Sequence, residues 1–463
     1  METQGKWDVI VVGGGVSGIT AATAAARNGA KTLLIEKDAA LGGTMAQCLV
    51  GPMMTFHSAT EQVITGLGQE VVDRLVAMRA SPGHILDTSG YVATVTPFDA
   101  EALRLVGQQM VVEAGAEILF HSMVVDVARS GSAVTGVIVQ QRGHPQTLYE
   151  AEVVVDTSGD ADVAFKAGAP YSMGRSEDGL VQPVSLMFKV TGWDKETFTS
   201  YVVDHPETLR LSREGVDAYK REPLVAVAGF EEELQAAIAD GRLGNLKREH
   251  VLFFNTHRPD EVTVNMSRVV GVDPLDPASL SEAELEGRRQ VFQIMDFLRD
   301  RIPGFEHARI VAVGARVGIR ESRRIVGEVV LSGDDVLEGR TWPDTIARSA
   351  YPIDIHSPTG ASDASQDEFE DDYLSQGVTY EIPYRTLVPQ QIDQLLAAGR
   401  CISTTVEAHG STRVSPTCMA FGQAAGTAAA LAVKQGISPR DLPIDELQRL
   451  LINQGADLGQ NAT

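Results

Sequence analysis

Cysteine is scarce in this chain. Cys48, Cys401 and Cys418 are the only three in 463 residues, and no two are near neighbours in sequence. That spacing excludes a Cys-x-x-Cys dithiol and the paired-cysteine zinc motifs and leaves a disulfide framework without support, so no metal site is expected. Reduced thiols in a cytoplasmic setting are the reading that remains. Long hydrophobic runs are also missing. None approaches the roughly 20 apolar residues of a membrane helix. The first apolar run starts near Trp7, which leaves no room for a signal peptide before it. The expectation is a cytoplasmic protein without membrane insertion. Basic residues are in the minority, 39 Lys and Arg against 62 Asp and Glu, for a net charge of -23. Such a surface repels phosphate backbones and anionic membranes, so nucleic acid is not an expected partner.

Glycine is what the chain has in a telling place. Trp7-Asp8-Val9-Ile10-Val11-Val12 runs into Gly13-Gly14-Gly15-Val16-Ser17-Gly18, and Glu36 follows Gly18 by 18 residues. An apolar run of strand length thus enters a Gly-x-Gly-x-x-Gly turn. A helix rich in small residues follows from Ile19 to Asn28, then a second apolar run, Thr32 to Ile35, that ends on an acid. Each part has a physical role in holding a dinucleotide. Gly13 permits the tight turn, Gly15 lets the backbone approach a pyrophosphate, and Gly18 lets helix and strand pack. Free amides and the positive dipole at the helix start attract phosphates. Glu36 stands where a carboxylate accepts ribose hydroxyls, with Lys37 beside it.

The remainder divides by pattern. Hydrophobic residues make up 43% of the chain, enough for two or three domains with cores of their own. Leu41-Gly42-Gly43-Thr44 is a second glycine turn able to lie against a cofactor. Helices are expected over 59–78 and 98–114. Between 123 and 155 the pattern becomes strands separated by turn residues, a meander whose last strand enters Asp156-Thr157-Ser158-Gly159-Asp160. Residues 184–310 mix apolar strands with helices and contain no second Gly-x-Gly-x-x-Gly. From Ile382 the α/β character returns, with a strand and turn at Leu395 to Arg400 and a Gly/Ala-rich helix from Ser415 to Val433. Ser415 is expected at its N-cap and Pro416 at N1. The acidic stretch Ser357 to Asp372 reads as a loop. The expected fold is α/β, a Rossmann-like binding domain over 1–183 and 311–463 with an inserted α+β substrate or cap domain over 184–310.

Taken together, five further segments make the chain resemble the glutathione-reductase-type FAD flavoproteins, and within them the bacterial FAD-dependent oxidoreductases. They are Val155 to Asp162, Gly174-Arg175 with Asp178-Gly179, Val264 to Arg268, Val317 to Glu328, and Ala398-Gly399-Arg400 with Gly422 to Gly426. The resemblance implies that FAD is the cofactor and that Gly13, Gly15, Val16, Ser17, Gly18, Glu36, Lys37, Gly42, Gly43 and Thr44 hold its ADP half. It implies that Val125 meets the adenine through its backbone, and that Thr157, Ser158 and Gly159 pass near the pyrophosphate or ribityl chain. The helix starting at Pro416 and Thr417 is to aim its positive end at the flavin N1–C2=O edge. Where many relatives carry Gly-Asp, this chain has Gly399-Arg400, so the contact made by Arg400 is open.

Candidate catalytic residues come from two segments. Of Arg316, Arg320, Arg323 and Arg324, the first two would share one face with Arg323 or Arg324 if helical. They form either an electropositive wall for flavin or anionic substrate, with Arg320 and Arg324 foremost, or plain ion pairs with Glu321, Glu328 and other acids. The loop Glu407 to Arg413 is implied to lie over the isoalloxazine. There His409 serves as general base or oxygen-polarising group, or as a structural histidine, and Arg413 binds a substrate carboxylate or the flavin, or forms a plain ion pair. Tyr351, Asp354 and His356 form a further family-like cluster. The expected activity is two-electron transfer, as hydride, between a small organic substrate and flavin, with substrate oxidation as the leading direction. Alkene reduction, NAD(P)H-driven monooxygenation and a non-catalytic redox-sensing role stay open. So do the electron acceptor and the oligomeric state.

Overall fold

Residues 9–12 pair in parallel with Thr32 to Ile35 on one side and with 153–156 on the other. The run is apolar at every position because both faces are buried, one under the helices Val16–Arg27 and Ser415–Gln435, the other under the meander strands and the short helix Asp162–Lys166. These strands belong to a seven-stranded sheet. Its order is Glu117–Leu119, Thr32–Ile35, Glu2–Val12, Thr147–Asp156, Ala133–Gln141 and Ser122–Ser130. The strand Thr147–Asp156 serves two partners along one edge. Its first half pairs antiparallel with the meander, and 154–156 pair parallel with Leu395–Ala397. The computed structural model describes residues 2–212, 214–360 and 377–459. Most of the acidic stretch read as a loop, Ser357 to Asp372, lies outside the described residues.

A second sheet is built wholly from residues 188–313. Its order is Leu209–Arg210, Ala226–Gly229, Val251–Asn255, Glu261–Val264, Phe188–Thr191 and Arg309–Val313, all antiparallel. The long helix Pro277–Arg301 backs it, capped by Asp276, whose carboxylate accepts from the Ala278 and Ser279 amides. Trp193, Phe198, Phe230, Phe253 and Phe305 fill the layer between. The architecture is α/β, with a parallel Rossmann-like sheet and this additional antiparallel sheet.

Several elements differ from expectation. The helix expected over 59–78 begins only at Gly66, because the Ser58 hydroxyl accepts from the Thr60 and Glu61 amides and closes a local turn instead. Residues 407–413, read as a loop, form most of the helix Val406–Thr412, capped by Thr405. Residues 316–324, treated as helical, are extended and irregular. They are drawn out by a bridge between Ser185 and Gly318 and by pairing of Arg324–Ile325 with Tyr171–Ser172. The C-terminal helix runs Ser415–Gln435 with Val414, not Ser415, at the N-cap.

That C-terminal helix lies against the first helix, Val16–Arg27, at backbone distance. A Cβ on Gly422 would sit 2.1 Å from the Ser17 carbonyl oxygen, and one on Gly426 would sit 2.1 Å from that of Ala21. The small-residue run of each helix is therefore a packing requirement. It brings two N-termini, Val16 and Ser415, to the same side of the sheet.

Candidate active site

A cavity of about 1090 Å³ runs between the two sheets. Ligand pockets commonly measure about 300–1,000 Å³, so this one has room for a large ligand. At one end its wall is made of Gly13, Gly15, Val16, Ser17, Glu36, Lys37, Gly43, Thr44, Thr157, Ser158, Gly159 and Arg400. Midway it passes Ser415 and Cys418 at the start of the C-terminal helix. The other end is lined by Ser185, Arg248, Arg268, Arg320, Tyr351, Asp354, His356 and Arg413.

The glycine end fits a dinucleotide on two observations. A Cβ on Gly15 would find nothing nearer than Gly43 Cα at 4.0 Å, so the turn opens into the cavity there. The Ser17 hydroxyl is buried with no hydrogen-bond partner. An uncompensated buried hydroxyl implies a ligand oxygen or a water. Glu36 follows the second strand directly and already binds the turn, accepting from the Gly14 and Asp38 amides. Asp156 closes the adjacent turn, accepting from Ser158, Val163 and Ala164 amides.

Five expected cofactor residues lie outside the cavity wall. Gly18 packs inward, since a Cβ would strike the Gly13 carbonyl oxygen at 1.8 Å. Gly42 turns in the left-handed region, with Ala46 behind it. Val125 falls at a bulge between paired Val124 and Asp126, and Ser122, Met123 and Val124 line the cavity instead. Pro416 and Thr417 are buried under Ser415, with the Thr417 hydroxyl 3.1 Å from that of Ser349. Arg400 is engaged by the protein: it pairs with Asp160 at 2.6 Å and donates to the Ser322 hydroxyl at 2.9 Å.

Two of the four expected catalytic residues are removed from the cavity. His409 is fully buried in its helix, and burial, with the Arg324, Arg413 and Arg400 charges, holds its basicity far below normal. A ring that reaches no cavity cannot act on a substrate. Arg324 is buried and ion-paired with Glu321, donating also to the Thr404 and Gly174 carbonyls. Arg316 pairs with Asp38 at 2.7 Å and Arg323 with Asp162 at 2.5 Å. Arg320 and Arg413 do line the cavity.

The residues that join them were only partly visible beforehand. Tyr351, Asp354 and His356 form one hydrogen-bonded array. Tyr351 donates to Asp354 Oδ2 at 3.2 Å, Arg413 donates to the same oxygen at 3.0 Å, and His356 Nε2 lies 3.4 Å from Asp354 Oδ1. Burial disfavours the Asp354 carboxylate, but His356, Arg413 and Arg320 outweigh it and hold the carboxyl well below its usual range. Burial lowers His356 to about 3, so the ring is neutral near pH 7. Burial, then the Asp354 charge, pushes the Tyr351 hydroxyl well above its ordinary value, so it stays protonated. Arg248 and Arg268 were missed as site residues. Arg268 sits just past the strand Glu261–Val264, a place only the packing of the second sheet reveals.

A family model described as FAD-dependent oxidoreductase matches residues 8–451 of the chain. The chain belongs to that family. It is therefore an enzyme that uses FAD as its cofactor, a narrower assignment than shared fold and a broader one than the glutathione-reductase type. The flavoprotein is 32% identical over 203 residues to the thiamine thiazole synthase of Aeropyrum pernix, an alignment covering 39% of this chain and 69% of that one. It is 29% identical over 165 residues to digeranylgeranylglycerophospholipid reductase 2 of Methanothermobacter thermautotrophicus, covering 35% and 42%. Among solved structures, a geranylgeranyl bacteriochlorophyll reductase-like protein from Thermoplasma acidophilum aligns over 98% of this chain and 84% of its own, at TM-score 0.43 and 14% identity. Among the described residues, no helix of the flavoprotein is long and apolar enough to cross a membrane, and no cluster of potential metal ligands occurs.

Proposed function

We propose that the flavoprotein oxidises a small organic substrate bound at the arginine-lined end of its cavity, with FAD along the remainder. One observation carries this: a single cavity joins the glycine turns, the start of the C-terminal helix and the Tyr351–Asp354–His356 array. Bound FAD supplies the two-electron acceptor. The ADP half would be held by Gly13, Gly15, Val16, Ser17, Glu36 and Lys37, the middle by Gly43, Thr44, Thr157, Ser158 and Gly159. The helix start at Ser415 contributes a positive dipole end to a ring beside it. Arg400, fixed by Asp160, presents a positioned cation to the same wall. Tyr351 and Asp354 are the groups that hold or pass a proton, and Arg320 and Arg413 orient the substrate. A glutathione-reductase-type relationship is supported by the opening glycine turn and by the late return of the parallel sheet at Leu395–Ala397. The three cysteines are buried free thiols, which supports a reducing, cytoplasmic setting.

The test is anaerobic flavin bleaching. The purified protein should be yellow, and a substrate from a metabolite panel should bleach it without NAD(P)H. Bleaching by NAD(P)H alone, followed by turnover on an alkene or on O2, would overturn the direction proposed. A protein that rejects FAD would overturn the cofactor placement.

A further inference from the structure

Four guanidiniums converge on the far end of the cavity from four separate segments. Arg248 precedes the strand Val251–Asn255, Arg268 follows Glu261–Val264, Arg320 comes from the extended 316–324 stretch, and Arg413 caps the helix Val406–Thr412. Two of them have carboxylate partners. Arg268 pairs with Glu249 at 2.9 Å and Arg413 with Asp354 at 3.0 Å. The other two do not. Arg248 is 4% exposed and its Nε reaches only the His250 carbonyl at 3.4 Å. Arg320 donates to the Pro183 carbonyl at 2.8 Å and to the Ser185 hydroxyl at 2.9 Å. Among the described residues neither makes an ion pair.

Leaving a buried charge uncompensated is costly, so two such charges side by side call for a counter-charge from outside the chain. The cost is visible in the groups themselves. Burial and then the neighbouring Arg268 bring Arg248 down to about 9, and burial and then Arg413 push Arg320 well below its usual value. The excess is local, because the whole chain carries -23. Met187, Ala228, Leu252 and Phe254 line the same cavity with apolar surface.

We propose that this end of the cavity binds a small organic acid carrying two carboxylates, which neutralise Arg248 and Arg320 while its carbon skeleton lies on the apolar wall. A guanidinium's planar fork matches a carboxylate in a paired hydrogen-bond geometry. Two unpaired forks from different segments match two carboxylates, and the apolar lining suits the carbons between them better than a compact inorganic ion. The inference rests on reading this cavity as the substrate site of the flavin enzyme.

The experiment titrates the purified holoenzyme, without oxygen, with straight-chain dicarboxylates of increasing length. Matched monocarboxylates, the dimethyl esters and inorganic phosphate serve as comparison. The readouts are the visible flavin spectrum and the melting temperature. At least one dicarboxylate should saturate both signals and bind about ten-fold or more tightly than its monocarboxylate, as loss of one charged hydrogen-bonded contact implies. Arg248→Gln and Arg320→Gln should each weaken it by a similar factor with flavin content unchanged. Arg248→Met should raise the melting temperature of the ligand-free protein, which a purely structural arginine would not do. The proposal falls if the yellow protein responds to no dicarboxylate, responds equally to the esters, prefers phosphate, or binds as before after both Gln substitutions. A colourless protein would instead strike the flavin reading. Its melting temperature still reports acid binding, so the two failures separate.

Discussion

Arg268 donates a hydrogen bond to Nδ1 of His356 at 3.0 Å. An arginine can only donate, so this one bond makes Nδ1 the acceptor and leaves the ring proton on Nε2, facing Asp354. The tautomer of the site is thus set by a residue that follows a strand of the second sheet, while the carboxylate it serves is anchored to Arg413.

This neutral, buried imidazole gives the protein a pH signature. The folded pKa of His356, about 3, lies below the value near 6.5 of an unfolded histidine. The unfolded chain therefore binds more protons between those values, and stability rises with pH across that window. His356→Gln can keep both hydrogen bonds without titrating. Its unfolding free energy, measured by denaturant at several pH values from 4 to 7, should have a pH slope smaller by up to about 1.4 kcal/mol per unit. An unchanged slope would refute the assignment.

Gly15 and Gly18 stand three residues apart and should behave oppositely. A Cβ at Gly15 enters the cavity and comes no nearer to protein than Gly43 Cα at 4.0 Å, so Gly15→Val should fold normally and lose FAD. A Cβ at Gly18 collides with the Gly13 carbonyl, so Gly18→Ala should lose stability. Flavin absorbance per protein and urea midpoints distinguish them. Normal flavin content in Gly15→Val would remove the pyrophosphate from this turn.

The contact between the first and last long helices permits no added volume. Gly422→Ala and Gly426→Ala should each cost about 1–3 kcal/mol or more in urea unfolding, since carbonyl backbone stands where the methyl group would go. Values below about 0.5 kcal/mol would mean that the helices move apart readily.

Asp160 and Arg400 should act as one unit. Burial disfavours the Asp160 carboxylate, and Arg400 with the Ser322 hydroxyl outweighs it, holding the carboxyl below its ordinary range. Removing one partner leaves the other's charge buried, at about 3–5 kcal/mol. Asp160→Ala and Arg400→Ala should therefore each destabilise strongly, and the double variant should cost less than the sum. Additive costs would show that the two are independent.

The glycine end of the cavity was legible in sequence because its rules are local. A turn, a helix start and an acid at fixed spacing need no knowledge of the remaining chain, and most residues named there do line the cavity. The far end was not legible, because it is made by convergence. Arg248, Arg268, Arg320 and Arg413 are spread over 165 positions, and only the docking of the second sheet brings them together. His409 misled for the same reason. Its pattern suited a loop, while Thr405 capped a helix that turned the ring into the core. The arginine run 316–324 was also decided at a distance: Asp38, Asp162 and Glu321 took three of its members, and Arg320 is the one left at the cavity wall without a carboxylate partner among the described residues.

The packing of helix Ser415–Gln435 against helix Val16–Arg27 also sets an order of assembly. During synthesis the dinucleotide turn emerges long before the part of its cavity wall from Gly399 to Cys418 and the last parallel strand, Leu395–Ala397. Until some 400 further residues have been added, the first βαβ unit exposes the faces that these elements later cover, so closure of this site is among the latest long-range events in folding. A nascent chain cut short before Ser415 has the turn that greets the cofactor and lacks the helix that completes its surroundings.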